Sequence, residues 1–317
     1  MLRRSGNAAA CALLLLASCV SNQGPLPEAP QLVEAAEAQV QAGDYAAALN
    51  MLDPVLGEGC PARLLDRRDL AHARAWFGVG EPWDAYLILE RFSDVHPLSA
   101  LRPQAVELIW SVGKQLVESD GGFLFFWSDR TAGRIVLEHL ITRHPDTRRL
   151  ADALRILGDM AFAEEDYELA QARYRDIILD RPDSDWRFYA KYRFAMSIVA
   201  GLRGPEYDLD RMQHAVRELR GFLKTEPESP QMLAEAERAV EQVLSWQVQR
   251  HVEVVGYYRR LDNLEGQLHH ARLATQEEFR GVPGFEEALV LRASVEAEAA
   301  ARQAASEAAA AAPGSRP

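Results

Sequence analysis

The stretch 151–182 constrains the fold more than any other part of the chain, because its apolar, small and proline residues recur at the spacing of a two-helix unit of about 34 residues. These positions are Leu154, Leu157, Gly158, Ala170, Tyr174 and Pro182. The leucines predict the inward stripe of a first helix, and the small residues allow a second, antiparallel helix to approach closely. The tyrosine fills the space toward the next unit, and the proline ends the second helix because it has no amide hydrogen to donate.

A single pair of this kind cannot bury its own apolar face, so neighbouring copies are expected along the chain. Copies are recognised at 31–56 and 66–97, each with a turn that contains glycine between two helical segments. Two longer copies keep the same order of helices and carry their extra residues in the turns at 119–130 and 201–211. Function is expected in these interrupted turns more than in the regular repeats.

The pattern ends with a sixth helical pair at 231–279 and a segment at 285–298 that is predicted to be a capping helix. Repeat length and helix order are those of tetratricopeptide repeats. Residues 31–298 are therefore predicted to form an all-α superhelical solenoid of about five to six pairs plus the capping helix. The Ala-rich residues 299–317 lack an apolar stripe and are expected to be frayed or disordered.

The composition of the chain limits the kinds of molecule that it is expected to bind. The 317-residue chain has a formal net charge of −12, which would repel the phosphate backbone of nucleic acids. Its apolar runs fall short of the roughly 20 residues that a membrane-spanning helix needs. The expected partners are therefore proteins, with membrane contact through an anchor.

The N-terminus has the layout of a secretory signal, with a short basic region before an apolar core at 8–17 that is too short to span a membrane. Residues 16–19, Leu-Ala-Ser-Cys, resemble the lipobox of bacterial lipoproteins. This resemblance implies that residues 1–18 are removed as a signal peptide and that Cys19 carries the lipid. The alternative is an ordinary signal peptide with a cysteine nearby.

The segment after this cysteine fits a lipid-anchored protein. Residues 19–30 are rich in Pro, Gly and Asn and are predicted to be a flexible tether. Two or three acyl chains would anchor the protein stably, where one would be marginal. Position 20 is Val, whereas Asp there retains enteric lipoproteins at the inner membrane, so the resemblance implies an outer-membrane location facing the periplasm.

Two helical pairs close with related sequences, His-Pro-Asp-Thr at 144–147 and Arg-Pro-Asp-Ser at 181–184. The interrupted turn before them contains a Gly-Phe-Phe-like segment and Ser-Asp-Arg, formed by Gly122, Phe125, Phe126, Ser128, Asp129 and Arg130. Together with the lipobox, these features resemble the BamD family of outer-membrane lipoproteins in the β-barrel assembly machinery, whose repeats typically close with Tyr-Pro-x-Ser/Thr. The resemblance is best over 119–185 and implies a divergent, C-terminally extended member.

The resemblance implies a protein-interaction scaffold for the assembly and insertion of outer-membrane β-barrel proteins. The implied partners are the barrel-assembly insertase, other assembly lipoproteins and unfolded barrel substrates. The residues before the closing prolines differ from the usual Tyr; they are His96, His144, Arg181 and Glu226. A scaffold for another envelope system therefore remains an alternative, such as peptidoglycan hydrolase recruitment, a Tol-Pal-like assembly or a secretion assembly.

The sequence motifs give no indication of catalytic, metal or cofactor chemistry. His-Glu-x-x-His, Cys-x-x-Cys and Gly-x-Ser-x-Gly do not occur. His269 and His270 are adjacent and would point in different directions on a helix, and the paired carboxylates are expected on solvated helix faces. The chain is predicted to be a non-enzyme with no cofactor and no metal site.

Two groups of residues are candidates for binding a partner. In the first interrupted turn, the apolar run either packs between repeats or faces a partner. Its candidates are Phe123, Phe125, Phe126, Trp127, Asp129 and Arg130. On the first helices of the second and third pairs, which line the concave face of such a fold, the candidates are Arg67, Leu70, Arg74, Phe77, Arg102 and Trp110. They suit a peptide with acidic or C-terminal carboxylate groups, the alternative being packing and ordinary surface charge.

Overall fold

The computed structural model describes residues 25–119, 122–124, 127–206, 208–225 and 229–311, with the backbone alone at 122–124, 127 and 310–311. Within these residues the chain is all-helical except for one short β-hairpin, as the repeat pattern predicts. The chain divides into two compact units, the first ending at Leu116 and the second beginning at Val117.

The first unit is built from helices that pack against their neighbours in the chain. Its helices are α1 (Ala29–Ala42), α2 (Tyr45–Leu52), α3 (Leu65–Gly78), α4 (Pro82–Leu89), α5 (Phe92–Val95) and α6 (Arg102–Glu118), whose last two residues belong to the second unit. α1 contacts both α2 and α3, and α3 contacts α4. The apolar faces of the first three helices enclose a core that includes Val33, Leu52 and Cys60.

Local turn chemistry places the boundary between α1 and α2. Gly43 follows α1 in the left-handed region, with φ of 81°, which glycine adopts without strain. The carboxylate of Asp44 then accepts the amide hydrogen of Ala47 at 3.0 Å and caps α2. The turn of this pair therefore contains the glycine that the sequence predicts.

After the last two residues of α6, the second unit continues with an antiparallel hairpin of β1 (Gly122–Leu124) and β2 (Trp127–Ser128), within the first interrupted turn. Its helices are α7 (Asp129–Arg143), α8 (Leu150–Ala163), α9 (Tyr167–Asp180), α10 (Arg187–Ala200), α11 (Leu209–Leu223), α12 (Pro230–Arg260), α13 (Leu264–Ala274) and α14 (Phe285–Ala311). Each helix from α7 onward packs against the next, and α12 also contacts α10 and α14. Consecutive pairs with additional contacts between alternate helices are consistent with the predicted all-α solenoid.

The pair formed by α8 and α9 shows why its sequence is the most regular in the chain. Glu165 turns the backbone with φ of 62°, and Asp166 caps α9 by accepting an amide hydrogen from its first turn at 3.1 Å. Tyr174 is fully buried and lies over Gly158, where an added Cβ would be 2.8 Å from the ring. Gly158 permits a close approach, as predicted, and the group that approaches is the tyrosine ring of the same pair.

Successive pairs are joined by a recurring turn of sequence x-Pro-x-Ser/Thr. The hydroxyl groups of Ser99, Thr147 and Ser184 each accept the amide hydrogen of the residue two positions later, at 3.0 to 3.3 Å. Their own amides donate to the carbonyl of the residue before the proline. The proline ends one helix and the hydroxyl closes a Ser/Thr turn just before the next, so these closing sequences act as structural boundaries between pairs.

The C-terminal helix corrects the sequence prediction, because α14 continues past its predicted end at 298 to Ala311. The apolar stripe does stop at the fully buried Val295, and the side chains from 301 to 309 are exposed. The helix continues because alanine has the highest helix propensity. Arg302 also bonds Glu298 one turn earlier and Asp262, both at 2.7 Å. This part of the Ala-rich tail is therefore helical.

Candidate partner-binding surfaces

The structure describes only some of the aromatic candidates in the first interrupted turn. Phe125 and Phe126 lie outside the described residues, as does the predicted lipidation site Cys19. Phe123 and Trp127 are described by their backbone, in β1 and β2. The choice between packing and partner contact for this run therefore stays a prediction.

The two charged candidates of this turn have different roles in the first turn of α7. Asp129 accepts a hydrogen bond from the hydroxyl of Ser119, which ties the two ends of the hairpin segment together. Its carboxylate also lies at the helix N-terminus, where the macrodipole favours negative charge. Arg130 is exposed. Asp129 is thus a structural residue, whereas Arg130 is available to a partner.

In the first unit, three of the predicted residues line one cavity of about 180 Å³ between α1, α3 and α6: Arg67, Leu70 and Arg74. Nε of Arg67 donates to Glu37 at 3.0 Å, and a second contact makes this ion pair bidentate. Arg74 donates to the side-chain oxygen of Gln104 at 2.7 Å. The structure brings these three residues together, although Leu70 is 2% exposed and belongs to the core. Both guanidinium groups already have a side-chain partner.

The other predicted residues of the first unit do not line this cavity. Trp110 is 8% exposed and is a core residue of α6, which corrects its assignment as a surface anchor. Phe77 is half-buried. Arg102 is exposed and donates to the carbonyl of Pro97 at 3.4 Å, at the start of α6. Whether an aromatic residue of a helix lies at the surface or in the core depends on how the helix is rotated about its axis. That rotation is set by packing against the neighbouring helices.

A second surface, which the motif search missed, lies on α8 and α10 in the second unit. Oδ1 of Asp159 accepts hydrogen bonds from the hydroxyls of Tyr174 and Tyr189, both at 2.7 Å. Its Oδ2 accepts from Nη1 of Arg155 at 2.7 Å, one turn earlier on α8. Nε of Arg193 lies 3.8 Å from Oδ1 and donates to the Tyr174 oxygen at 3.2 Å. Asp159 is therefore the centre of a polar network that joins two helical pairs.

Aromatic rings lie against the two arginines of this network. The guanidinium carbon of Arg193 is 3.8 Å from the ring centroid of Phe162, and that of Arg155 is 4.4 Å from the ring of Trp186. Trp186 is fixed in turn, because its indole N–H donates to Asp152 at 2.7 Å. Cation–π contacts of this kind strengthen as the cation is desolvated.

We call Arg155, Asp159, Trp186, Tyr189 and Arg193 the Arg–aromatic cluster. Its three charged side chains are 21–28% exposed, so they are held in place and still reach the surface. Burial raises the pKa of Tyr189 to about 12, with the hydrogen bond to Asp159 adding to the effect, so this hydroxyl remains a donor. The cluster carries two guanidinium groups and one carboxylate on a chain whose net charge is −12.

The sequence does contain a weak signal for this cluster. Arg155 and Asp159 are four residues apart on one first helix, and Tyr189 and Arg193 have the same spacing on the next. Each pair alone is common on a solvated helix face. The hydrogen bond between Asp159 and Tyr189 spans 30 residues and depends on the register of two helices.

Neither a scan against models of known protein families nor a search of curated proteins finds a match to this chain. Among the described residues, the helices do not combine the length and apolar character needed to cross a bilayer. In the same part of the chain, His, Cys, Asp and Glu side chains do not converge in groups of three or more that could hold a metal ion.

Proposed function

We propose that this chain is a protein-interaction scaffold of the tetratricopeptide type, and that its Arg–aromatic cluster binds a peptide segment of a partner. The observation that carries this proposal is the placement of two stacked, partly exposed arginines beside Trp186 and Tyr189 on α8 and α10. Arg, Trp and Tyr are the residue types that dominate binding hot spots.

The cluster is organised before a partner arrives. Asp159 and the aromatic rings restrain both guanidinium groups, so little rotamer freedom would be lost on binding. A carboxylate of the partner can accept paired hydrogen bonds from a guanidinium, and an apolar group can cover the Trp186 ring. Arg67 and Arg74 offer a related surface in the first unit.

We further propose that the scaffold is lipid-anchored at Cys19 and serves the assembly of outer-membrane β-barrel proteins from the periplasmic side. This proposal is supported by the lipobox-like sequence at 16–19 and by the BamD-like closing sequences at 144–147 and 181–184. The partners would be the barrel-assembly insertase and other assembly lipoproteins. A scaffold for another envelope system is the competing assignment.

Affinity purification of the membrane-anchored chain in mild detergent, with mass spectrometry of the bound proteins, tests this function. We expect the insertase to co-purify with the wild type. An Arg155→Gln/Arg193→Gln variant should recover at least about tenfold less insertase than the wild type. A tenfold loss corresponds to roughly 1.4 kcal/mol of binding free energy. Arg302→Gln is the matched control, because Arg302 lies on α14 and is paired with Asp262 and Glu298; it should retain the insertase.

Two other outcomes of the purification would each reject a different part of the proposal. Recovery of peptidoglycan hydrolases or other envelope proteins without barrel-assembly components would reject the assembly function. Full recovery of the insertase by the double arginine variant would reject the cluster as its binding surface.

Replacement of Cys19 tests the anchor separately. Cys19→Ser should move the protein from the outer-membrane fraction to the soluble periplasmic fraction, as measured by fractionation and immunoblotting. Cys60→Ser is the control, because Cys60 is a buried free thiol in the first unit and its loss should leave fractionation unchanged. A Cys19→Ser protein that stays with the outer membrane would contradict lipid anchoring.

A further inference from the structure

Two histidines that are distant in the sequence meet between α12 and α13. Nδ1 of His251 lies 3.2 Å from Nδ1 of His270, and their ring centroids are 5.4 Å apart. His251 is 8% exposed, whereas His270 is partly exposed. Of the adjacent residues 269 and 270, His270 is the one whose ring meets His251 on α12, and His269 is exposed.

The separation of the two nitrogens is suited to a shared ligand. Two neutral imidazoles can share one proton in a hydrogen bond, or they can bind one metal ion in place of that proton. Zinc binds imidazole nitrogen at about 2.0–2.1 Å in tetrahedral geometry, which places two such nitrogens about 3.3 Å apart. The observed distance of 3.2 Å matches this separation.

Neighbouring side chains fix the rings and set the local charge. The Tyr258 ring stacks on His270 with centroids 5.6 Å apart and planes at 25°. His269 is exposed, and its ring is nearly perpendicular to that of His270. Arg250 is a positive charge close to the pair, but it forms an ion pair with Glu253 at 3.7 Å, which offsets part of its repulsion toward a cation.

We infer that His251 and His270 form a two-histidine site for a transition-metal ion, with zinc the best match to the geometry. Imidazole nitrogens suit zinc, copper and nickel, whereas magnesium and calcium prefer oxygen ligands. Because the described residues supply no cluster of three or more such ligands, water or a partner's side chain would complete the coordination. The ion would join α12 to α13 and stabilise this helical pair.

The test is a zinc titration of the full chain after removal of bound metal with a chelator. Calorimetry should show one saturable site, and the Tm should rise with zinc concentration, because a ligand that binds the folded state stabilises it by mass action. His251→Gln and His270→Gln should each lower the zinc affinity at least about tenfold. Glutamine keeps a hydrogen-bonding group at each position but removes the imidazole ligand.

His269→Gln is the matched control, because this exposed neighbour lies on the same helix, and it should bind zinc as the wild type does. Circular dichroism establishes that each variant is folded, and His270→Gln carries the test if the substitution at the buried His251 unfolds the protein. Nitrogen-15 spectra of the imidazoles should show both Nδ1 resonances shifting with zinc. Zinc binding that survives in both glutamine variants, or the lack of a saturable site in the wild type, would overturn the inference.

Discussion

Gly158 is a position where a single methyl group would disturb two helices. An added Cβ would lie 2.8 Å from Cε1 of Tyr174, and that ring is fully buried with its hydroxyl bonded to Asp159. We expect Gly158→Ala to lower the free energy of unfolding by about 1–3 kcal/mol, because the strain outweighs the better helix propensity of alanine. Urea denaturation followed by circular dichroism measures this change.

Gly256→Ala is the matched control for that substitution. Gly256 lies in the interior of α12, where an added Cβ meets nothing within 4 Å. The change should raise the free energy of unfolding by about 0.5–1 kcal/mol through helix propensity alone. If both substitutions stabilised the protein equally, the ring of Tyr174 would not be the reason for a glycine at 158.

His72 gives the stability a dependence on pH. Nε1 of Trp76 donates to Nε2 of His72 at 2.8 Å, and a protonated imidazole could not accept this bond. Burial lowers the pKa of His72 below its ordinary value of 6.5, so the unfolded chain binds the proton more readily than the folded one. The stabilisation is present above the unfolded pKa and is lost as the pH falls from there toward the folded pKa.

We therefore expect the free energy of unfolding to fall between about pH 7 and about pH 5, and His72→Gln to make this dependence shallower. Urea midpoints at the two pH values measure the difference. His251 and His270 also have lowered pKa values and remain in the variant, so the dependence should be reduced rather than abolished. An unchanged slope in His72→Gln would contradict the assignment.

At the scale of the helix, the Ser/Thr turns between pairs are not equivalent. Ser184 accepts the Trp186 amide hydrogen at 3.1 Å, whereas Ser99, besides accepting the Leu101 amide hydrogen, donates to the Asp66 carboxylate at 2.6 Å. We expect Ser184→Ala to cost about 1 kcal/mol of unfolding free energy, the typical net value of one hydrogen bond. Ser99→Ala should cost more, because the Asp66 carboxylate loses one of its donors as well. Urea denaturation of the two variants gives the order, and the reverse order would count against this explanation.

Helix positions were predictable because their ends depend on local chemistry. The x-Pro-x-Ser/Thr turns and the Gly-Asp turn at 43–44 specify where one helix stops and the next begins, whatever the rest of the chain does. The contacts of Asp159 with Tyr189 and of His251 with His270 were not predictable. They join residues 30 and 19 positions apart and depend on how two helices are rotated against each other.

α14 shows that the pattern of apolar residues predicts burial but not the length of a helix. The apolar stripe predicts which residues are buried, and it ends at Val295 as the burial does. It does not predict where the helical backbone ends, because alanine propensity and the ion pairs of Arg302 continue the helix without packing. Burial and helicity are separate properties, and residues 301–309 are helical without being buried.

For the whole molecule, we propose that the helical pairs form a scaffold whose irregular or charged surfaces bind partners. Two such surfaces are described, one on α3 in the first unit and the Arg–aromatic cluster in the second. In a chain with a net charge of −12, the two guanidinium groups of this cluster outnumber its one carboxylate, Asp159, which favours partner segments with carboxylates. The regular repeat supplies the spacing and rigidity on which this surface depends.

We propose that the Arg–aromatic cluster contacts a component of the barrel-assembly machinery in the cell. Site-specific photo-crosslinking in living cells tests this contact, with a benzoylphenylalanine residue replacing Tyr189 or, as a control, the exposed Glu307 of α14. We expect a crosslink from position 189 to the insertase and none from position 307. The lack of a crosslink from 189 to any assembly component, or equal crosslinking from both positions, would contradict the claim.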